Sequence, residues 1–387
     1  MKYLVIGSGR MAAGIVHDLI HFGNAERIIC CDNSEHPLRD LEVRFKEHLN
    51  LIKYQISGAH EKEKLIPILK EVDGVISAVP YEFNLNLTKW AIENSCHFVD
   101  LGGNNSVVEK QFQLHHAAVK AKVGIIPDCG LAPGMASVIV SHAISKLDET
   151  ESVKIRVGGL PINPVGPLKY MLVFSVHGLI NEYIEPAIIL RDGEPKQVDS
   201  MTDLEIIKFP EPFGEVEAFY TSGGTSTLPQ SYRGIITNLD YKTIRYPGHC
   251  GTFKTMIDLG FASEDPIEIN GKIVSKRTLF EELLLDPLTY KSEDVVLIRV
   301  TAYGKKNKQA LKLEYQAIEY PDAENNLTAM MRTTAFPAAL ALEMLVDGRI
   351  SESGVLRQEK AIPAELYLRE LVKRNIRFEV RESPHNI

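Results

Sequence analysis

The stretch Lys2-Tyr3-Leu4-Val5-Ile6-Gly7-Ser8-Gly9-Arg10-Met11-Ala12-Ala13-Gly14 decides the fold. An apolar run turns at two glycines into residues with helical spacing, the pattern of a strand feeding a dinucleotide-binding turn. Gly7 permits the tight turn, Gly9 lets the backbone approach a pyrophosphate, and Ala12 stands where a third small residue lets the helix pack on the strand. Arg10 and Met11 open that helix, whose unpaired backbone N–H groups and dipole favour the negative charge of the pyrophosphate.

Residues 17–22 carry the helix to Gly23-Asn24, and Arg27-Ile28-Ile29-Cys30-Cys31 reads as a second buried strand. It ends at Asp32, about 20 residues past the glycines, where a carboxylate accepts both hydroxyl protons of an adenosine ribose. A 2′-phosphate there meets a like charge, so NAD is expected over NADP, with Arg39 and Arg44 near enough in sequence to offset that charge.

The alternation continues with a helical pattern over 37–51, a strand at 54–56 and a helix over 62–72. Asp73-Gly74-Val75-Ile76-Ser77-Ala78-Val79-Pro80 then reads as a central strand closed by a proline loop. In a doubly wound sheet its C-terminal end lies beside the nucleotide, so Ser77, Ala78, Val79 and Pro80 are candidate cofactor-lining positions. Tyr81 begins the next helix, on the nicotinamide side. The strand 96–100 runs into Leu101-Gly102-Gly103-Asn104-Asn105, residues that tolerate unusual dihedrals and present backbone and amides to a ligand. Leu101 is assigned to the cofactor, Gly103 and Asn104 to the substrate. A helix over 107–121 and a strand over 124–127 deliver Asp128-Cys129-Gly130-Leu131-Ala132-Pro133-Gly134, a carboxylate at a strand end ahead of a helix over 135–145.

From about Glu151 the pattern changes to strands at 153–157, 168–176, 187–190 with 197–198 across Asp192-Gly193, 267–273 as a hairpin, and the pair 295–303 and 310–320. Such a run implies an inserted mixed or antiparallel sheet. The helix over 333–345 is apolar enough to be buried on most sides and is expected to return to the first domain. A last helix spans 366–375, and 381–387 is expected to fray. The fold class is therefore α/β: a Rossmann dinucleotide-binding domain from 1–127 and 334–387, plus an inserted α+β domain with a mixed sheet, 128–333, for substrate binding and oligomerisation.

At 387 residues the chain exceeds one ordinary core. Its net charge of −8 argues against a nucleic-acid surface. No run reaches bilayer-spanning length, and Met1 leads straight into a strand. A cytoplasmic protein with neither nucleic acid nor membrane as partner is expected. The five cysteines lack Cys-x-x-Cys spacing, which speaks against zinc and against a disulfide framework. Buried free thiols are the expectation for Cys30 and Cys31.

The glycine fingerprint, Asp100-Leu101-Gly102-Gly103, Asp128-Cys129-Gly130-Leu131-Ala132-Pro133-Gly134, Arg245-Tyr246-Pro247-Gly248-His249 and Pro337-Ala338-Ala339 together resemble the saccharopine dehydrogenase-like oxidoreductases. Within that family the chain is most similar to the L-lysine 6-dehydrogenases. Saccharopine reductases tend to carry an acidic residue before the Pro-Gly pair, where this chain has Ala132. The resemblance implies a homodimer or higher homo-oligomer and a small amino-acid substrate. It also implies NAD-dependent oxidation of the lysine ε-amine to 2-aminoadipate 6-semialdehyde, which cyclises to piperideine-6-carboxylate, with release of ammonia. Saccharopine and carboxynorspermidine chemistry, joining an amine and an aldehyde, is the alternative. A non-catalytic NAD-binding sensor is the second.

Hydride leaves the ε-carbon only when the amine lone pair is free, and a lysine amine titrates near 10.4, so a base is required. Asp128 and His249 are the candidates, and Asp128 could instead bind the substrate's ammonium. The substrate carboxylate calls for a planar bidentate cation, assigned to Arg245 with Arg233 second. The hydroxyl- and glycine-rich stretch 221–229 serves either as a set of hydrogen bonds to substrate or as a flexible connection. Thr225 and Tyr232 are the substrate-binding candidates from this region.

Overall fold

A computed structural model describes residues 1–385. The chain divides into two compact units. The first comprises Met1–His142, Ser226–Ser231 and Met331–Arg377; the second comprises Ala143–Thr225, Tyr232–Met330 and the chain from Phe378. The boundaries thus fall inside the helix that starts at Met135 and near the start of the helix that carries Pro337, rather than at 127/128 and 333/334.

The first unit holds a seven-stranded parallel sheet. Its strands are β1 (Lys2–Ile6), β2 (Arg27–Asp32), β3 (Ile52–Ile56), β4 (Gly74–Ser77), β5 (His97–Asp100), β6 (Gly124–Ile126) and the short strand Gly354–Val355. The order places β3, β2, β1, β4, β5 and β6 side by side, with Gly354–Val355 at the far edge. Tyr3, Leu4, Val5 and Ile6 are all buried, the continuous apolar run of a strand covered on both faces. The strand order reverses between β1 and β4, where the C-terminal ends leave a crevice for a ligand.

Helices α1 (Arg10–His21), α2 (Glu35–Arg44), α3 (Lys62–Leu69), α4 (Asn84–Glu93), α5 (Asn105–Phe112) and α6 (His115–Ala121) connect β1 to β6, and α7 (Met135–Ser145) follows β6. The expected single helix over 107–121 is α5 and α6, broken at Gln113 and Leu114.

The second unit is built on a nine-stranded mixed sheet. Its strands are β7 (Glu149–Pro161), β8 (Ala187–Arg191), β9 (Glu194–Val198), β10 (Glu205–Lys208), β11 (Glu215–Tyr220) and β12 (Asn238–Arg245), then β15 (Asp294–Lys306), β16 (Gln309–Glu319) and Glu379–Pro384. The hairpin β13 (Pro266–Ile269) and β14 (Lys272–Ser275) stands apart. Only β12 and β7 pair in parallel. Helices α8 (Val176–Ile184), α9 (Leu228–Ser231, part of the first unit), α10 (His249–Asp258) and α11 (Lys276–Leu288) complete the middle of the chain.

Two expectations are corrected in this half. Residues 168–175 form no strand; they lead to α8, which Ser175 caps by accepting from Gly178 N over 3.1 Å. Residues 379–384 do not fray, because Glu379–Pro384 pairs with β16 and Lys306 Nζ meets Glu382 at 3.0 Å. The last two residues of the expected frayed tail lie outside the described residues.

The chain then adds α12 (Ala329–Val346), α13 (Gln358–Ala361) and α14 (Ala364–Lys373). By length and composition α12 is the one helix among the described residues able to cross a bilayer, and 83% of it is buried, as befits a core helix. A Cβ on Gly14 of α1 would fall 2.7 Å from Ala335, and one on Gly74 of β4 would fall 2.8 Å from Leu342, so small residues admit α12 against α1 and the sheet. Arg374, at the C-terminal end of α14, donates to both Asp18 oxygens at 2.6 and 3.0 Å and to Glu343 at 2.8 Å, fixing α1, α12 and the end of α14 together.

Candidate functional site

In the first unit the glycine turn has the form that a dinucleotide requires. Gly7 has φ +97°, and a Cβ there would fall 2.6 Å from Ala78 O, so the glycine lets the ends of β1 and β4 close. Around Gly9 nothing approaches within 4 Å of a Cβ position. Gly9 precedes α1 without a side-chain cap, leaving the backbone N–H groups of Arg10, Met11 and Ala12 without intrahelical partners. Ser8 Oγ is buried and has no hydrogen-bond partner among the described residues. Asp32 closes the other side: Oδ2 accepts from Ser8 N at 2.8 Å and Oδ1 from Ser34 N at 2.9 Å. An open cradle, free helix N–H groups, a buried hydroxyl without a partner and a fixed carboxylate fit a dinucleotide.

Of the other cofactor candidates, Ser77 spends its hydroxyl on Asn84 Oδ1 at 2.7 Å, securing α4 beneath the strand end. Ala78, Val79 and Pro80 lie at the C-terminal end of β4, with Ala78 N bonded to Ile6 O, and Leu101 follows β5.

Asp128 sits just past β6, 2% exposed, with a left-handed φ of +57°. Its Oδ1 accepts from Gly103 N at 3.2 Å and its Oδ2 from Ser226 Oγ at 2.7 Å. Burial raises its pKa, against the two hydrogen bonds, which lower it. Asp100 supports it from beneath: Oδ1 accepts from Gly102 N and Asp128 N, and Oδ2 from Gln111 Nε2. Burial and the neighbouring Asp128 charge push Asp100 up to about 7.

The stretch 221–229 is neither a flexible connection nor a row of free hydroxyls. Ser226 holds Asp128, and Thr227 Oγ1 and Ser231 Oγ donate to the buried Glu359. Gln358 Nε2 donates to the Pro127 and Asp128 carbonyls. The Thr225 hydroxyl donates to Ile188 O at 2.8 Å, which leaves it only as an acceptor toward any other group. Asn104 Oδ1 accepts from Ser106 N and Val107 N and caps α5, so its amide oxygen is spent on the helix. Gly103 keeps a backbone role through Asp128, and Tyr232 is buried at the end of the stretch.

In the second unit Arg245 and His249 come together. The side chain of Arg245 lies 4.6 Å over the Tyr170 ring, donates from Nε to Tyr183 Oη at 2.8 Å and from Nη1 to Ile244 O at 2.9 Å. Tyr183 Oη also lies 2.9 Å from His249 Nε2, and His249 Nδ1 lies 2.8 Å from Leu168 O. A carbonyl can only accept, so Nδ1 carries the histidine proton and Nε2 accepts from the tyrosine hydroxyl, whose oxygen accepts from Arg245. Burial, then the Arg245 charge, lowers His249 to about 3. Both ring nitrogens of the expected base are thus engaged within this network. Glu217, which faces Arg245 across the β11–β12 register, is spent on Gly248 N and Cys250 N at the start of α10. Arg233, the second choice for the carboxylate, forms a surface ion pair with Glu194 at 2.7 Å.

Tyr183 and Glu182 of α8 escaped sequence reasoning. Glu182 is half-buried, its carboxylate has no hydrogen-bond or ion-pair partner among the described residues, and burial raises it to about 7 against the field of Arg245, which lowers it. The signal available was slight: a Glu-Tyr pair on a segment that also holds His177 and Asn181. All five cysteines are free and buried, and among the described residues no group of three His, Cys, Asp or Glu could hold a metal ion.

A Rossmann-type dinucleotide-binding unit joined to a mixed-sheet unit is the class of protein that this fold and cradle define. Comparison places the chain more narrowly: it belongs to the saccharopine dehydrogenase family. The family's C-terminal domain matches residues 130–376 and its NADP binding domain residues 3–126. Alpha-aminoadipic semialdehyde synthase, mitochondrial, of Mus musculus is 23% identical over 92% of this chain and 45% of its own length. Saccharopine dehydrogenase [NADP(+), L-glutamate-forming] of Saccharomyces cerevisiae is 23% identical over 62% of this chain and 55% of its own. The chain spans about half the length of the curated relatives it matches. Apo saccharopine dehydrogenase (L-Glu forming) from Saccharomyces cerevisiae has the same fold, with TM-score 0.81, 18% identity and 99% of both chains covered.

Proposed function

We propose that this protein oxidises, with NAD, the carbon bearing the ε-nitrogen of an amino acid of the lysine skeleton, and that the substrate is lysine itself: loss of hydride to NAD leaves an iminium, and water adds to that carbon to yield the semialdehyde and ammonia. The observation that carries the reading is the state of the buried cations in the second unit. Arg156 is paired with Asp240 and Glu205, Lys242 with Asp203, and Arg277 with Glu281. Arg245 is the one buried cation of that unit whose side chain no protein carboxylate hydrogen-bonds, among the described residues. One uncommitted guanidinium suits one substrate carboxylate.

A bound nicotinamide supplies the hydride acceptor. The chain's own residues do the rest. Arg245 binds the carboxylate, and Tyr183 and His249 orient it. Asp128 takes up the proton that frees the amine lone pair, its carboxylate kept in place by Gly103 and Ser226. His249 is a positioning residue in this reading, because neither ring nitrogen is free.

The names of the relatives favour a second reading, oxidation of saccharopine at the same carbon with glutamate as the leaving amine. Dinucleotide reduction measured with lysine and with saccharopine separates them. Lysine alone is expected to reduce NAD, faster as pH rises toward the amine's own titration near 10.4. Reduction with saccharopine and none with lysine in alkaline buffer would replace the first reading by the second.

A further inference from the structure

We infer that Asp100 and Gln358 are positioning residues, a two-sided brace that holds the backbone of Asp128 in its left-handed conformation and so fixes where its carboxylate points. Asp100 Oδ1 accepts from the Asp128 N–H at 3.1 Å, and Gln358 Nε2 donates to the Asp128 carbonyl. The brace deepens, and rests on, the reading of Asp128 as the group that takes up the substrate proton.

The backbone itself calls for such a device. In the loops that follow β1, β5 and β6, Gly7, Gly102, Gly103 and Gly134 take positive φ, and Asp128 is the one other described residue there that does, at +57°. Glycine adopts that region without penalty, whereas a residue with a side chain persists in it only where its surroundings over-determine the conformation. At Asp128 they do. Its N–H is taken by Asp100 Oδ1, its carbonyl by Gln358, and the next N–H, of Cys129, by the Asp100 carbonyl at 2.7 Å. The carboxylate is held separately, by Gly103 N and Ser226 Oγ. A glycine at 128 would make the same turn unstrained, so the turn keeps an aspartate for its carboxylate.

The two braces are not the side chains that packing alone would select. Gln358 is buried and its Nε2 faces two carbonyls, Pro127 O at 2.9 Å being the second, which fixes the orientation of the amide. Its Oε1 is then buried with no hydrogen-bond partner among the described residues. Asp100 is fully buried, and its Oδ2 accepts from Gln111 Nε2 at 2.7 Å, which leaves Gln111 Oε1 in the same condition. Buried oxygens without partners lower stability, and apolar side chains of the same size would avoid them. The amide at 358 is retained where its donor meets the backbone of the strained residue.

Denaturant unfolding of Asp128→Gly and Asp128→Ala reads the brace apart from turnover. In the otherwise native chain Asp128→Gly is expected to unfold at the higher denaturant concentration, because alanine carries the left-handed strain and glycine does not. Adding Gln358→Met, which keeps the length of the side chain without its donor, or Asp100→Ala lets the backbone leave that conformation, so the gap between the two midpoints closes or reverses. Asp100→Asn keeps an acceptor oxygen for the Asp128 N–H, with Gln111 Oε1 free to turn toward its amide, and should keep the gap. With Asp128 intact, Gln358→Met is expected to lower kcat about 5- to 30-fold and to leave KM for the dinucleotide unchanged. A gap absent from the otherwise native chain overturns the brace, and a gap that survives Gln358→Met or Asp100→Ala strikes that residue from it. If Asp128→Asn loses turnover and Gln358→Met does not, the positioning role is overturned. Full turnover in Asp128→Asn instead removes the reading of Asp128 as base, and the gap alone then decides the brace.

Discussion

Gly102 and Asp128 occupy each other's space: a Cβ on Gly102 would lie 2.8 Å from Asp128 Cα and overlap its Oδ1. Gly102 also has φ +74°, where a side chain adds strain. The loop after β5 can therefore carry only a glycine if the carboxylate after β6 is to stay where Gly103 N and Ser226 Oγ hold it.

Gly102→Ala is accordingly expected to destabilise the protein by about 2–4 kcal/mol, about 1 from the left-handed backbone and the rest from overlap. Denaturant unfolding measures it. The same change at Gly9, where a Cβ meets nothing within 4 Å, should cost much less in the free protein. Equal losses at the two positions would contradict the packing described for Asp128.

If Asp128 accepts the substrate proton, Asp128→Asn should lower turnover by about 10²- to 10⁴-fold and leave NAD affinity unchanged. Ser226→Ala gives the sharper readout. The serine hydroxyl bonds the charged carboxylate and so lowers its pKa; removing it raises the pKa further, and the acid limb of the rate profile should move to higher pH. An unmoved limb would mean that some other group governs it.

The first unit was legible because its signals are local. A strand, two glycines, a helix and Asp32 follow one another within one βαβ unit, and each strand end delivers its loop to the same edge. The second unit is written at long range. β12 carries Lys242, Thr243 and Arg245, polar residues that look like loop, and becomes a central strand because β7 pairs with it from some eighty residues upstream, Lys242 against Arg156. Residues 168–176 are apolar enough for a strand, yet they serve as packing ahead of α8: Leu168, Tyr170 and Val173 join the core with Leu179, Ile180 and Phe253. Arg245 was identifiable as a cation near a turn. Its partner Tyr183 was not, because only the fold brings α8 to β12.

His249 offers a test of position against chemistry. Its folded-state pKa, about 3, lies below the ordinary 6.5, so the unfolded chain takes up a proton that the folded protein refuses. The neutral ring contributes stability above pH 6.5, and that contribution is lost as pH falls from 6.5 toward 3. The stability advantage over His249→Gln should shrink by at most about 1.4 kcal/mol per pH unit across that window, read as a difference curve so that the raised acids Asp100 and Glu182 cancel. Kinetically, His249→Gln and Tyr183→Phe are expected to raise KM for the amino acid about 5- to 30-fold through a loosened Arg245, with kcat nearly kept. A collapse of kcat with KM unchanged would return the histidine to the role of base.

The choice between NAD and NADP turns on Asp32. Its carboxylate is oriented by Ser8 N and Ser34 N at the end of β2, ready to accept from ribose hydroxyls and repulsive to a 2′-phosphate. Arg39 on α2 is bound by Glu35 at 2.6 Å, so it offers no ready neutralisation of an extra phosphate. NAD is therefore the proposed cofactor, although the family's N-terminal domain is named for NADP. Asp32→Ala is expected to lower kcat/KM for NAD by about 10- to 100-fold, the worth of a charge-assisted hydrogen bond pair, and to leave NADP equal or improved. Initial rates with each dinucleotide at fixed amino-acid concentration decide it. A wild-type preference for NADP, kept in Asp32→Ala, would mean that a cation other than Arg39 reaches the phosphate and that the carboxylate serves only to brace the turn.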